Sequence, residues 1–167
     1  RSSAASDVYK RQYRDTWSID QWFLTVVSNM IHDLRVNSHG YSGSFKGAEE
    51  ENIRKWDRIL GRMEFLFREA NEGTCRKKNP YEKEHALARE EFTAKYGMFG
   101  EKLKTEEEIA REKREHTHRL YTMSDVPKYA EISEKWLAAE GELREYRDRC
   151  LKQGMELMTK YFWNLWD

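Results

Sequence analysis

The chain has 167 residues, enough for one domain. Charged residues make up 36% of it, well above the usual quarter, and the mean hydropathy is −1.00, a balance that predicts much exposed charged surface. The formal net charge is zero, which removes any global electrostatic case for nucleic acid or an anionic membrane.

Arg1 to Gln12 carry neither a helical nor a strand pattern, and the chain starts without Met. Ser2 to Gln12 resemble the in-frame translation of a transposase-based sequencing-library adapter. The first twelve residues are therefore expected to be a disordered tail outside the fold, with the natural start missing. That leaves 13–167 as a single helical domain.

Trp17-Ser18-Ile19-Asp20-Gln21-Trp22 predicts a helix start. Ser18 and Gln21 have capping-box spacing, Trp17 and Trp22 the spacing of a hydrophobic staple, and Asp20 suits the helix dipole. Ile19, Trp22, Phe23, Val26, Val27, Met30, Ile31 and Leu34 then form one apolar face, expected to be core. Asn37 to Ser44 read as a loop. Its His39-Gly40-Tyr41 is best explained as a glycine-punctuated turn, since no Gly-Lys-Ser/Thr follows. A second helix is predicted over Glu49–Ala70. Its stripe runs through Ile53, Trp56, Leu60, Met63, Phe67 and Ala70, with three acids at its start and Gly73 expected at its C′ position.

Thr74 to Pro80 form a polar linker, where Arg76-Lys77-Lys78 read as solvated surface rather than a phosphate contact. Tyr81 to Leu103 carry a thinner stripe, weakened near its end by Gly97 and Gly100. Thr105 and Glu108 form a further capping box before a segment, Arg111 to Arg119, that holds no apolar residue. A charged helical hairpin or arm inserted over 74–124 is the expectation here.

Asp125 to Asp167 hold the longest apolar repeat. Ile132, Trp136, Ala139, Leu143, Tyr146, Cys150, Leu157, Tyr161 and Leu165 recur at helical spacing, and Leu137, Leu151, Met158 and Phe162 widen the stripe. Ser124 or Asp125 can cap it and Pro127 fits its first turn. One unbroken helix would span about 60 Å, against a radius of gyration of roughly 15 Å for a compact chain of this size. The alternatives are an elongated protein or a break at Gly141 or Gly154. Together these elements predict an all-α fold: an elongated antiparallel bundle of three main amphipathic helices carrying the inserted arm.

Trp17-Ser18-Ile19-Asp20, His39-Gly40-Tyr41, Trp56-x-x-Ile59-Leu60-x-x-Met63 and Tyr161-Phe162-x-x-Leu165-Trp166 resemble an uncharacterised group of small helical proteins of bacteriophages and environmental sequences. The resemblance covers about Trp17–Ala70 and Tyr146–Asp167. It implies a phage or mobile-element origin, with Gly73 to Lys128 as an insertion, and implies no activity or catalytic residue.

Glu82-x-x-His85 and Glu115-x-x-His118 have the spacing that di-iron bundles use. The other inward acids are missing, with Asp20, Asp33 and Asp57 the nearest substitutes, and the flanks are those of solvated faces. Cys75 lies beside Arg76, Lys77 and Lys78, a setting that lowers a thiol pKa, whereas Cys150 falls on the apolar stripe. Two cysteines are too few for a disulfide framework or a zinc site. No glycosidase, protease or phosphoryl-transfer signature is present. The expectation is a non-enzymatic interaction or assembly protein with no cofactor and no catalytic residue. It would bind a protein partner or self-associate, with Trp17, Trp22, Trp163 and Trp166 as candidate surface residues. The alternative is a di-metal carboxylate enzyme on Glu82, His85, Glu115 and His118. No run approaches the roughly 20 apolar residues of a membrane span, and a cytoplasmic setting, the host's if phage-encoded, is expected.

Overall fold

The computed structural model describes residues 18–37 and 40–166. Trp17, and with it the predicted staple, lies outside them, as do the first twelve residues and His39. The described residues are all-helical, with no strand among them. The order is α1 (Ile19–Asn37), α2 (Glu49–Ala70), α3 (Glu82–Tyr96), α4 (Glu106–Glu115) and α5 (Pro127–Tyr161). Single 3-10 turns lie at Glu101–Leu103, Met123–Asp125 and Phe162–Asn164.

The chain divides into two compact units, one of residues 1–77 with 145–167 and one of 78–144. The core of the first is centred on α2. Trp56, Leu60, Met63, Leu66 and Phe67 are sealed from solvent, with Leu24 and Ile31 from α1 and Cys150 and Tyr161 from α5. Edge-to-face contacts tie Phe45, Trp56 and Tyr161 together at centroid distances of 5.5–6.2 Å. Gly154 permits close packing, since a Cβ there would stand 3.2 Å from the Phe67 ring. The helix therefore runs unbroken through Gly154, because buried contacts outweigh the roughly 1 kcal/mol that glycine costs a helix. It also runs unbroken through Gly141.

The second unit has a smaller core of Phe92, Met123 and Tyr129, flanked by Ala88, Tyr96, Leu103, Val126 and Ile132. Asn79, buried, donates to the Trp136 carbonyl (3.0 Å) and to Glu140 (2.9 Å), while its own oxygen accepts from the Tyr81 N–H (2.9 Å). α4 opens on the predicted capping box: Glu108 N–H donates to Thr105 Oγ1 (3.2 Å) and Thr105 N–H to Glu108 Oε2 (3.0 Å).

Three helix ends differ from expectation. α3 stops at Tyr96 because Gly97 and Gly100 adopt φ of 93° and 64°, outside a right-handed helix. α4 stops at Glu115, with His116 left-handed at φ 52°. α5 stops at Tyr161 rather than Asp167. α2 ends at Ala70 as expected, with Asn71 of the Asn71-Glu72-Gly73 stop as its cap: the Asn71 N–H donates to the Phe67 carbonyl and its side-chain oxygen accepts from the Gly73 N–H at 2.9 Å, while Gly73 is not left-handed. At the start of α5 the expected cap is otherwise engaged. The Asp125 carboxylate accepts from Thr122 N–H (2.7 Å) and Oγ1 (2.9 Å), and Ser124 pairs with Ser133.

Candidate interaction surface

On α1 the buried side is the line Leu24, Ser28 and Ile31. Phe23, Val27 and Leu34 are half-buried beside it. Ile19, Trp22 and Met30, expected in the core, are exposed, Met30 by 65%. The reason is geometric. At 100° per residue the apolar arc of α1 is wider than the strip that α2 and α5 can cover. α5 repeats the pattern: Tyr146, Cys150, Gly154 and Tyr161 face inward, while Leu151, Met155 and Phe162 on the adjoining strip are exposed.

Met30 from one exposed strip and Phe162 from the other border a groove of about 610 Å³, lined also by Val27, Ile31, Leu34, Met158 and Leu165, with Asp33 and Asn37 as polar lining residues. Trp163 and Trp166 follow α5 directly and are 85% and 72% exposed. Trp166 Nε1 donates to the Trp163 carbonyl (3.0 Å), and the Phe162 and Trp163 rings meet edge-on at 5.3 Å. Scattered exposed apolar residues are ordinary; here two large aromatic rings are exposed within four residues of the groove-lining Phe162 and Leu165. Of the candidate tryptophans, Trp22, Trp163 and Trp166 are exposed, and Trp17 lies outside the described residues.

The paired Glu-x-x-His residues do not share a site. Trp136 Nε1 donates to Glu82 Oε2 (2.9 Å), and the His85 ring stacks on Trp136 at 4.3 Å. Burial holds the His85 pKa below its ordinary value, against the neighbouring Glu82. His118 is largely exposed, 3.9 Å from Glu112, and Glu115 is exposed beside Arg114. Among the described residues no three His, Cys, Asp or Glu side chains group as a metal site. Cys75 is not a solvent-facing thiol: it is buried, its Sγ donating to Glu69 Oε2 at 3.8 Å. Burial takes it away from any external substrate.

Two acids on α2 escaped the sequence reading. Glu64 receives His32 Nδ1 (3.0 Å), Arg35 Nη1 (3.1 Å) and Arg68 Nε (3.0 Å). Glu69, its side chain 3% exposed, accepts from Arg76 Nε (2.8 Å), the Arg76 N–H (3.3 Å) and Tyr146 OH (2.8 Å). Burial alone would raise the Glu69 pKa; the bonds from Arg76 and Tyr146 outweigh it and hold the carboxyl below its ordinary range. Burial, then the bond to Glu69, pushes the Tyr146 hydroxyl up. The one signal available for Glu64 was its four-residue step from the buried Leu60. Glu64 ties α2 to α1, and Glu69 ties it to Arg76 and to Tyr146 on α5. No protein-family model matches the chain, and neither a curated protein nor a solved structure is similar to it.

Proposed function

We propose that the chain is a non-enzymatic helical interaction protein that docks an amphipathic helix of a protein partner in the groove between α1 and the end of α5. The surplus apolar strips on both helices carry this reading. Two helical ridges with a trough between them accept a third helix as ridges into grooves, the mode of helix-in-groove recognition. Met30 and Met158 at the groove suit such a role, since methionine adapts to irregular partner surfaces.

The scaffold proposed beneath it is an antiparallel bundle of α1, α2 and the second half of α5. The pairings Thr25–Asn71, Asn29–Arg68 and His32–Glu64 support the first antiparallel step, because partners fall along α2 as they rise along α1. Glu69–Tyr146, Arg62–Gln153 and Trp56–Tyr161 support the second in the same way. A phage or mobile-element origin, with action in the host cytoplasm, belongs to the same proposal and rests on the motif resemblance. No described helix is long and apolar enough to cross a membrane.

Selection of the full chain against a displayed library of amphipathic helices tests the docking. Helical binders that lose affinity for Met30→Glu and for Phe162→Glu, but not for Glu145→Gln on the exposed face of α5, are expected. Failure to enrich any helix, or binders indifferent to both groove changes, overturns the reading. Stoichiometric iron or manganese that disappears on mutating His85 and His118 would overturn it in favour of the metalloenzyme.

A further inference from the structure

A second concavity in the same unit has a different chemistry. This cleft of about 770 Å³ runs along α2, with Ile53, Trp56 and Leu60 among its apolar lining and Arg35, Arg54, Asp57 and Arg58 as its charged lining. Ile53, Trp56 and Leu60 share one helical face at three- and four-residue steps. Arg54, Asp57 and Arg58 stand on the adjoining face.

The charges are not balanced locally. Asp57, the one acid lining the cleft among the described residues, is already taken, since Arg35 Nε donates to its Oδ1 at 2.9 Å. Arg35 in turn reaches Glu64 Oε2 through Nη1 at 3.1 Å. Those bonds, with Asp57 the larger, hold the Arg35 guanidinium firmly charged. Arg54 has a single carboxylate contact, Glu50 at 3.4 Å between two well-exposed groups, a pairing of little strength. Arg58 has no carboxylate partner among the described residues. Its Nε donates to the Arg54 carbonyl at 3.3 Å, which orients the guanidinium, and its Nη groups have no hydrogen-bond partner among the described residues. The cleft thus offers two under-compensated guanidinium groups beside an apolar floor.

We propose that this cleft binds a small organic anion, a carboxylate carried on an apolar body. The carboxylate bridges Arg54 and Arg58, and the body lies on Ile53, the exposed apolar residue of the lining. Guanidinium is flat, weakly hydrated and matched to carboxylate in two-point contact. The apolar floor rewards a ligand with a hydrophobic portion. Arg35 acts as a positioning residue: by holding Asp57 it keeps that acid from neutralising its helix neighbours.

Titration of the full chain with 2-naphthoate, followed by the NMR signals of the arginine Nε–H groups, tests this. Saturable shifts at Arg54 and Arg58 are expected. Loss of one charged two-point contact weakens binding about tenfold, so Arg58→Gln and Arg54→Gln should each do so. Both residues are exposed, so an unchanged melting temperature is expected and shows that the fold is intact. The neutral 2-naphthalenemethanol and body-less inorganic phosphate should each bind at least about tenfold more weakly than the parent probe. Met30→Glu, in the other groove, should leave the titration unaltered. The proposal is overturned if naphthoate does not saturate at millimolar concentration, if Arg58→Gln binds it equally, or if the neutral alcohol does as well.

Discussion

In the unit built from α1, α2 and the end of α5, α2 alone seals Trp56, Leu60, Met63, Leu66 and Phe67 from solvent. In the 78–144 unit, Phe92, Met123 and Tyr129 are the buried apolar residues of the core, and α4 buries none. The segment around α4 is held by two carboxylates instead. Glu112 takes Lys104 Nζ at 2.7 Å through both oxygens, and Glu108 takes Tyr121 OH at 2.6 Å and Arg119 Nη1 at 3.2 Å. The contrast separates two sources of order. Apolar burial is not screened by salt and takes up no proton, whereas charge-assisted contacts are weakened by both. A perturbation that discriminates between them should act on one unit and spare the other.

The largest effect is expected at Phe67. Its ring packs against Phe23 and against the bare backbone of Gly154. Phe67→Ala opens a cavity that the rigid helix contacts cannot fill, at a cost of about 3–5 kcal/mol. Denaturant unfolding should show a large fall in midpoint. A loss below about 1 kcal/mol, the range of small exposed changes, would mean that α2 is not the centre of that core.

Glu69 sharpens the comparison, because it is a charge placed inside the burial-dominated unit. Glu69→Gln leaves Arg76 and Tyr146 with a weaker acceptor and should cost about 1–3 kcal/mol. The pH dependence has a definite sign. The folded pKa lies below the ordinary value of 4.5, so the stabilisation is complete above about that pH and is lost as pH falls through the folded value. Stability followed through acid titration should therefore drop more steeply in the parent chain than in Glu69→Gln. Parallel curves would remove Glu69 from the account.

Local signals carried well from sequence to structure, and distant ones did not. The bounds of α2, the Thr105–Glu108 box and Pro127 at the head of α5 depend on residues within one turn of each other. Glu69 depends on Tyr146, 77 residues away, as well as on Cys75 and Arg76 across the turn after α2, and no periodic pattern joins those positions. The helix α1 itself was legible, running Ile19–Asn37, but which of its apolar residues are buried was not. Its apolar residues cover more arc than the core uses, and periodicity fixes the axis of a stripe without fixing which edge meets a neighbour. Met30 and Phe162 were therefore read as packing residues although they form the groove. Trp163 and Trp166 were singled out by the aromatic density of the chain end alone.

A smaller effect is expected at Glu112, in the charge-held segment. The Lys104 hydrogen bond, followed by the Arg119 backbone N–H, holds the Glu112 pKa below its ordinary range. Glu112→Gln should accelerate hydrogen exchange from Lys104 to Tyr121 while leaving α2 amides protected. Raising the salt concentration of the parent chain should push exchange in the same direction, since the contacts are partly screened. Equal acceleration in α2 would mean that the two regions unfold as one and do not differ in what holds them.

The smallest effect is expected at Trp166. The side chain is 72% exposed, and its one hydrogen bond is to the Trp163 carbonyl three residues before it. Truncation removes little buried area, so Trp166→Ala should change stability by no more than about 0.5 kcal/mol. A melting temperature within a degree or two of the parent, together with reduced uptake of an apolar dye, would mark the ring as surface available to a partner. A large fall in melting temperature would instead put the chain end inside the core and return to stability what the exposed rings assign to recognition.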